Sequence, residues 1–420
     1  MPDRRLTRRT FLGAATITGL SACSSGLKAT TPSSSSNGGT IKIGFVSPQT
    51  GPVAIFGQPN SYVLSKVRSA LSKGLTIGGK KYSVEIITKD SQSSSSGAAT
   101  AASQLIQQDS VNFLIATSTP DTTNPVTEQA EASGVPCLNT ICPWEQWYYN
   151  SSGAANNFKY SFMYFLGSQE ELKLFGTYWQ SESTDKVLGG LWPNDVDGAT
   201  FQKYAEIIGP QLGLKVIPSG AYADGTQDFA SIIAKFKADN VQILHASPIP
   251  PDMITFWKQA HQNGFKPKIA SISKALLFPS AAQALGSLVD NVMTPVWWTP
   301  QWPFSSSLDG MTSAAFGAGY SPGWTQPMGF NYAAFEIAIA ALKASGDPTD
   351  VNAVVSALSK LKGTAITGDY DFATGPVPHV SQVPETLGQW RPGSSGAYEL
   401  VIINNSLLPS VPTAGSFELL

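Results

Sequence analysis

The chain has 420 residues, 42% hydrophobic and 13% charged, a globular composition whose length suggests two or three domains. Its 27 basic residues are balanced by 29 acidic ones and none cluster into a run that would grip a polyanion, so nucleic acid is not an expected partner.

The segment RRLTRRTFLGAATITGLSAC passes from a basic stretch through a short apolar one to small residues before Cys23, the layout of an export signal. Its apolar part, Phe11 to Leu20, is about half the length a bilayer requires and contains threonines and glycines, which argues against a permanent span. Arg8-Arg9 followed by Thr10, Phe11 and Leu12 resembles a twin-arginine signal, and Leu20-Ser21-Ala22-Cys23 resembles a bacterial lipobox. The resemblance implies removal of residues 1–22 and lipidation of Cys23, which attaches the protein to the membrane through the lipid. Residues 23–39 have the Ser/Thr/Gly composition of a flexible tether. Cys137 and Cys142 remain; export permits either a disulfide or two buried thiols, and a bridge would need a turn between them.

From Thr40 the chain alternates β-like and helical stretches. Strands are expected at 41–46, 82–88, 112–117 and 136–139, with helices over 59–73, 95–109 and 123–133 between them. A second set follows, with helices over 168–181, 198–212, 227–238 and 251–263 and strands at 186–192, 214–220, 241–246 and 267–272. Two further helices, 329–345 and 349–361, and a strand at 398–404 close the chain. This repetition predicts an α/β protein with parallel sheets covered on both faces, and ligand-facing loops at the carboxyl ends of the strands.

The opening IKIGFVSPQTGPVAIFGQP, the segments DFASIIAKFKADNVQILHA and FWKQAHQNGFKPK, and the terminal GQWRPGSSGAYELVIINN together resemble the type I periplasmic binding proteins of ABC importers, in the branch of the branched-chain amino acid receptors. The resemblance covers about residues 40–405 and rests on motifs recurring in order. It implies two doubly wound, Rossmann-like lobes joined by a three-crossover hinge: lobe one over 40–160 plus 290–345, lobe two over 161–289 plus 346–410. It also implies a small-molecule ligand trapped between the lobes, a membrane permease as partner, an extracytoplasmic location and a monomer, with no cofactor.

On that pattern the first-lobe contacts are Gln49 and Phe56 after the first strand, Ser118 and Thr119 at a helix start, and Asn139 at the end of the fourth strand. Ser118 and Thr119 stand where a hydroxyl and free N–H groups can take a carboxylate, although either could simply cap the helix. The next loop, CLNTICPWEQWYYN, departs from the amino acid receptors, placing Pro143 where they carry a threonine; Trp144 and Trp147 are expected to line the cleft, and Tyr148 and Tyr149 to pack at the hinge. In lobe two Lys274 stands near the position of the receptors' acidic residue, which favours an anion over a zwitterion unless this lysine is merely a solvated surface group. Trp192, Phe278 and Trp298 complete the expected aromatic wall, which suits an apolar or aromatic ligand, a sugar, or less well a cation.

Against catalysis, His245, His261 and His379 are isolated, and no zinc motif, nucleophile elbow, P-loop or G-x-G-x-x-G is present. The competing readings are a sensor signalling to a membrane partner, and a hydrolase using Ser118, Asp195 or Asp197.

Overall fold

The runs FLIAT, CLNT and SFMYF are buried at every residue, as parallel strands are when helices cover both faces of their sheet. The computed structural model describes residues 36–321, 323–394 and 396–420; the export signal, the lipobox and Cys23 lie outside the described residues. Strands β1 (Ser36–Ser47), β2 (Leu75–Ile77), β3 (Lys80–Asp90), β4 (Phe113–Thr117), β5 (Cys137–Thr140) and β6 (Ser161–Phe165) form a first sheet, which β14 (Val380–Gln382) joins late in the chain. Its order is β14-β6-β5-β4-β1-β3-β2, parallel except for β2 against β3. The second sheet holds β7 (Val187–Leu191), β8 (Lys215–Pro218), β9 (Ile243–Ala246), β10 (Ile269–Ile272), β11 (Met293–Val296), β15 (Thr386–Pro392) and β16 (Tyr398–Asn404). It runs β16-β15-β11-β10-β9-β7-β8, with β15 antiparallel to both neighbours. A hairpin of β12 (Lys362–Ala365) and β13 (Gly368–Asp371) stands apart.

The chain passes between the sheets three times: after β6, after β11, and between β14 and β15. These are the three crossovers of the expected hinge, but the lobe boundaries differ from those expected. The strand β6, assigned by sequence to lobe two, extends the first sheet, and β11, assigned to lobe one, lies in the second. Residues 346–382 also build onto lobe one: the helix Val351–Leu358 packs on the long helix Gln326–Ala344, and β14 pairs with β6. The displacement has a local cause. Only the five-residue helix Trp144–Tyr148 separates β5 from β6, so the regular strand-helix alternation breaks there and the following strand is easily passed over. The expected tether is likewise shorter than read, since β1 begins at Ser36 and pairs Ser36 with Lys80.

The helix Gln326–Ala344 is buried almost all round against β4, β5 and the helix Asn60–Ala70, which explains its uniformly apolar sequence. No helix among the described residues is long and apolar enough to cross a membrane.

Candidate functional site

Strand β4 delivers Ser118 to the start of the helix Pro120–Ser133 with φ 100°, a backbone region that L-residues avoid. The side chain is fully buried and its hydroxyl has no hydrogen-bond partner. Its neighbour Thr119 is the helix N-cap, yet makes no side-chain capping bond. A strained backbone and an uncommitted hydroxyl at a helix start are features that stability does not explain, and such features concentrate where ligands bind.

In lobe two, Asp195 caps the helix Val196–Gln211 by accepting a bond of 2.6 Å from the Gly198 N–H. Its other oxygen lies 2.9 Å from Lys274 Nζ, and Asp197 Oδ2 lies 2.7 Å from the same nitrogen. Burial alone would lower the lysine pKa, but the two carboxylates outweigh it and hold the ammonium charged. Beside this triad the Ser273 hydroxyl donates to Glu171, whose carboxyl is pushed up to about 8 by burial. Asp121 of lobe one is raised to about 6 by burial and by the charges of Asp195 and Asp197. The polar wall is therefore rich in acids, with Lys274 already neutralised by two of them.

His245 accepts a bond of 2.9 Å from Trp192 Nε1 on its Nδ1, so its proton sits on Nε2, which lies 3.4 Å from the Ser273 hydroxyl. An Nε2–H cannot take a proton from Ser273, and burial pushes the imidazole down to about 3, so the pair is not arranged as nucleophile and base. Trp192 reaches back over its own strand; at Gly190 a Cβ would come within 2.1 Å of the indole, and glycine there admits it.

Between these groups the lobes leave a cavity of about 20 Å³ for the centres of water molecules, room for about one ordered water. Phe56, Ile141 and Phe165 line it from lobe one, Phe201 and Lys274 from lobe two, and Trp297 from the second crossover. Phe56 meets Phe278 edge-on across the lobes with centroids 5.1 Å apart. Glu145 and Gln146 tie the lobes together nearby. The Glu145 carboxylate accepts from the Ser168 and Gln169 N–H groups at 2.8 and 3.1 Å, capping the helix Ser168–Ser181 whose own N-cap, Gly167, has no side chain. Gln146 Nε2 donates to Ser168 Oγ at 2.7 Å and to Asp197 at 3.4 Å.

Among the expected contacts, Phe56, Thr119 and Lys274 line this cavity, Ser118 precedes Thr119, and Phe278 packs behind Phe56. The others go elsewhere. Gln49 is exposed and its N–H binds Asp90. Asn139 spends its amide inside lobe one, donating to Phe162 O at 3.0 Å and accepting from Thr127 Oγ1. Trp144 packs at the first crossover, where a Cβ on Gly167 would lie 2.5 Å from its indole nitrogen. Trp147 donates to Thr127 Oγ1 at 3.0 Å and packs at a tilt against Phe158. Trp192 serves His245, and Trp298 donates to Ser313 within lobe one. The anion argument from Lys274 is corrected as well: it required an uncompensated ammonium, and this one is paired twice. Cys137 and Cys142 are buried free thiols.

Sequence reasoning passed over Phe165, Glu171, Phe201 and Ser273 as contacts, chose Trp298 over Trp297 in the aromatic stretch 296–304, and named Asp197 only as a possible acid catalyst. Ser273 carried a usable signal, as the polar residue directly after β10 at the carboxyl edge of the second sheet, whereas Glu171, in the first turn of the helix after β6, carried none.

The profile of the family described as "Periplasmic binding protein" matches residues 40–383. A Leu/Ile/Val-binding protein homolog 7 from Brucella suis biovar 1 (strain 1330) is 21% identical over 234 residues, covering 54% of this chain. That alignment covers 57% of the relative, so the chain spans about half the length of the curated relatives it matches. A leucine-binding protein from Thermotoga maritima MSB8 superposes with a TM-score of 0.73 at 16% identity, over 87% of this chain and 99% of that one. An ABC transporter solute-binding protein from Rhodopseudomonas palustris BisB5, in complex with 3,4-dihydroxybenzoic acid, gives 0.73 at 16% identity over 87% and 96%. With the fold, the three crossovers and the interlobe cavity, the match over residues 40–383 establishes that this chain belongs to the periplasmic binding proteins, a family of extracytoplasmic solute receptors and not of enzymes.

Proposed function

We propose that the protein captures a small organic acid with an apolar or aromatic body between its lobes and delivers it to an ABC permease, held at the membrane by a lipid on Cys23. The observation that carries the ligand reading is Ser118, whose buried, uncommitted hydroxyl and φ of 100° stand beside Thr119 at a helix start bordering the interlobe cavity. A ligand carboxylate there accepts from the hydroxyls. Phe56, Phe165, Phe201 and Trp297 surround the body of the ligand. Lys274 has three N–H donors and gives two to aspartates, which leaves it able to contact ligand oxygen without acting as a countercharge. The acids around it call for donors at the far end of the ligand. A hydroxylated aromatic acid offers both ends, and the Rhodopseudomonas relative holds such a molecule.

Thermal-shift titration of the mature protein tests this with 3,4-dihydroxybenzoate, 4-hydroxybenzoate, phenylacetate, leucine, phenethylamine and putrescine. The hydroxybenzoates are expected to raise Tm with concentration, since a ligand bound only to the folded form stabilises it by mass action. The response should be lost in Ser118→Ala. Stabilisation by the amines alone would refute the acid reading.

A further inference from the structure

A second space lies beside the central cavity and shares no lining residue with it. Water centres can occupy about 540 Å³ of it, against about 20 Å³ at the centre, so it has the size of a pocket for a whole small molecule. One wall is the aromatic excursion of lobe one, with Tyr149 and Phe158; the other is the helix Val196–Gln211 of lobe two, with Ala199, Lys203 and Tyr204. Gln146 forms the partition. It donates to Asp197, which lines the central cavity, while its buried Oε1 has no partner.

The three rings Tyr149, Phe158 and Tyr204 are half-buried, each presenting part of its surface to the pocket. Between them stand exposed Glu128 and Lys203, one charge of each sign, and neither forms an ion pair among the described residues. The Glu145 carboxylate is committed to the helix it caps. The pocket thus offers apolar ring faces interleaved with separate acceptors and donors and, with Glu145 tied to the helix it caps, one remaining charge of each sign. We infer that this lateral pocket is a second ligand site, which takes a neutral polyhydroxylated ring such as a saccharide unit across both lobes. The C–H face of a pyranose packs on aromatic rings, and its hydroxyls can donate to Glu128 and Gln146 Oε1 and accept from Lys203. A plain arene would bury these polar groups without partners, which disfavours it.

Saturation-transfer NMR and thermal shift with glucose, maltose, cellobiose and trehalose test the assignment on the mature protein, alongside Tyr204→Ala and Ala199→Trp. At least one saccharide should bind the wild type and raise its Tm, with affinity falling at least tenfold in both variants. The replacement Ala199→Trp starts from an exposed helix position and fills the pocket, so it reports even where loss of the Tyr204 ring disturbs packing. Responses to hydroxybenzoates should persist in both variants, since they read the central cavity, and a failure of those acids to bind leaves the saccharide result standing by itself. Absence of binding by all four saccharides, or binding that survives Ala199→Trp, overturns the inference.

Discussion

Ser118 holds a conformation that costs a non-glycine residue about 1–3 kcal/mol, and its hydroxyl gains no hydrogen bond from it. Glycine adopts φ near 100° freely, at the expense of extra entropy in the unfolded chain. Ser118→Gly is therefore expected to stabilise the protein by about 1 kcal/mol in urea denaturation while weakening hydroxybenzoate binding at least tenfold. Loss of stability in that variant would show that the serine is a structural residue. At this scale the sequence was legible in part. Ser118, Thr119, Phe56 and Lys274 follow from position in the loops after the strands, because a strand end fixes which residues come next. The tryptophans did not follow, because their direction depends on parity: Trp297 lines the cavity whereas Trp298, one residue on, turns into lobe one and bonds Ser313. The salt bridges of Lys274 were hidden too, since Asp195 and Asp197 come from a helix start about eighty residues away in the chain.

The helix Ser168–Ser181 begins at the first crossover and gathers buried acids around its start. Glu145 caps it, Glu171 bonds Ser273, and Glu385 from the third crossover is buried with neither oxygen partnered. Burial, with Glu171, Glu170 and Glu145 nearby, raises the Glu385 pKa, as burial raises that of Glu171 from 4.5 to about 8. For a carboxyl raised in this way, its contribution to stability is complete below about 4.5 and is lost as pH rises through about 8. His245 has the opposite sign: lowered from 6.5 to about 3 by burial, it removes stability as pH falls below 6.5. The melting temperature should therefore fall from pH 6.5 to about 8, and Glu171→Gln should make that limb less steep, with Glu385 keeping its share, while the decline on the acid side remains. Fluorimetric melts from pH 5 to 9 check this, and an alkaline limb of unchanged slope in the variant would contradict it. Most elements were legible from periodicity, with the helix Ser168–Ser181 and β16 at their expected bounds. The strand β6 was not, because an irregular aromatic excursion stands where the strand-helix alternation would place a full helix.

At the scale of the whole molecule, two sheets joined by three crossovers form a hinge, and a central cavity with room for about one water sets the requirement on it. On the proposed reading an organic acid enters only when the lobes separate, which breaks the contacts Phe56–Phe278 and Gln146–Asp197. The composition and strand-helix alternation made this architecture legible, and the recurring motifs indicated the family. The cavity-facing side of each lobe was not legible, because it is assembled from loops that meet only after folding. Small-angle X-ray scattering of the mature protein, with and without saturating 3,4-dihydroxybenzoate, tests the central claim most directly. Capture by closure predicts a smaller radius of gyration with the acid bound and the acid recovered chemically unchanged. A radius that stays constant on binding, or an acid recovered as a different compound, would contradict it.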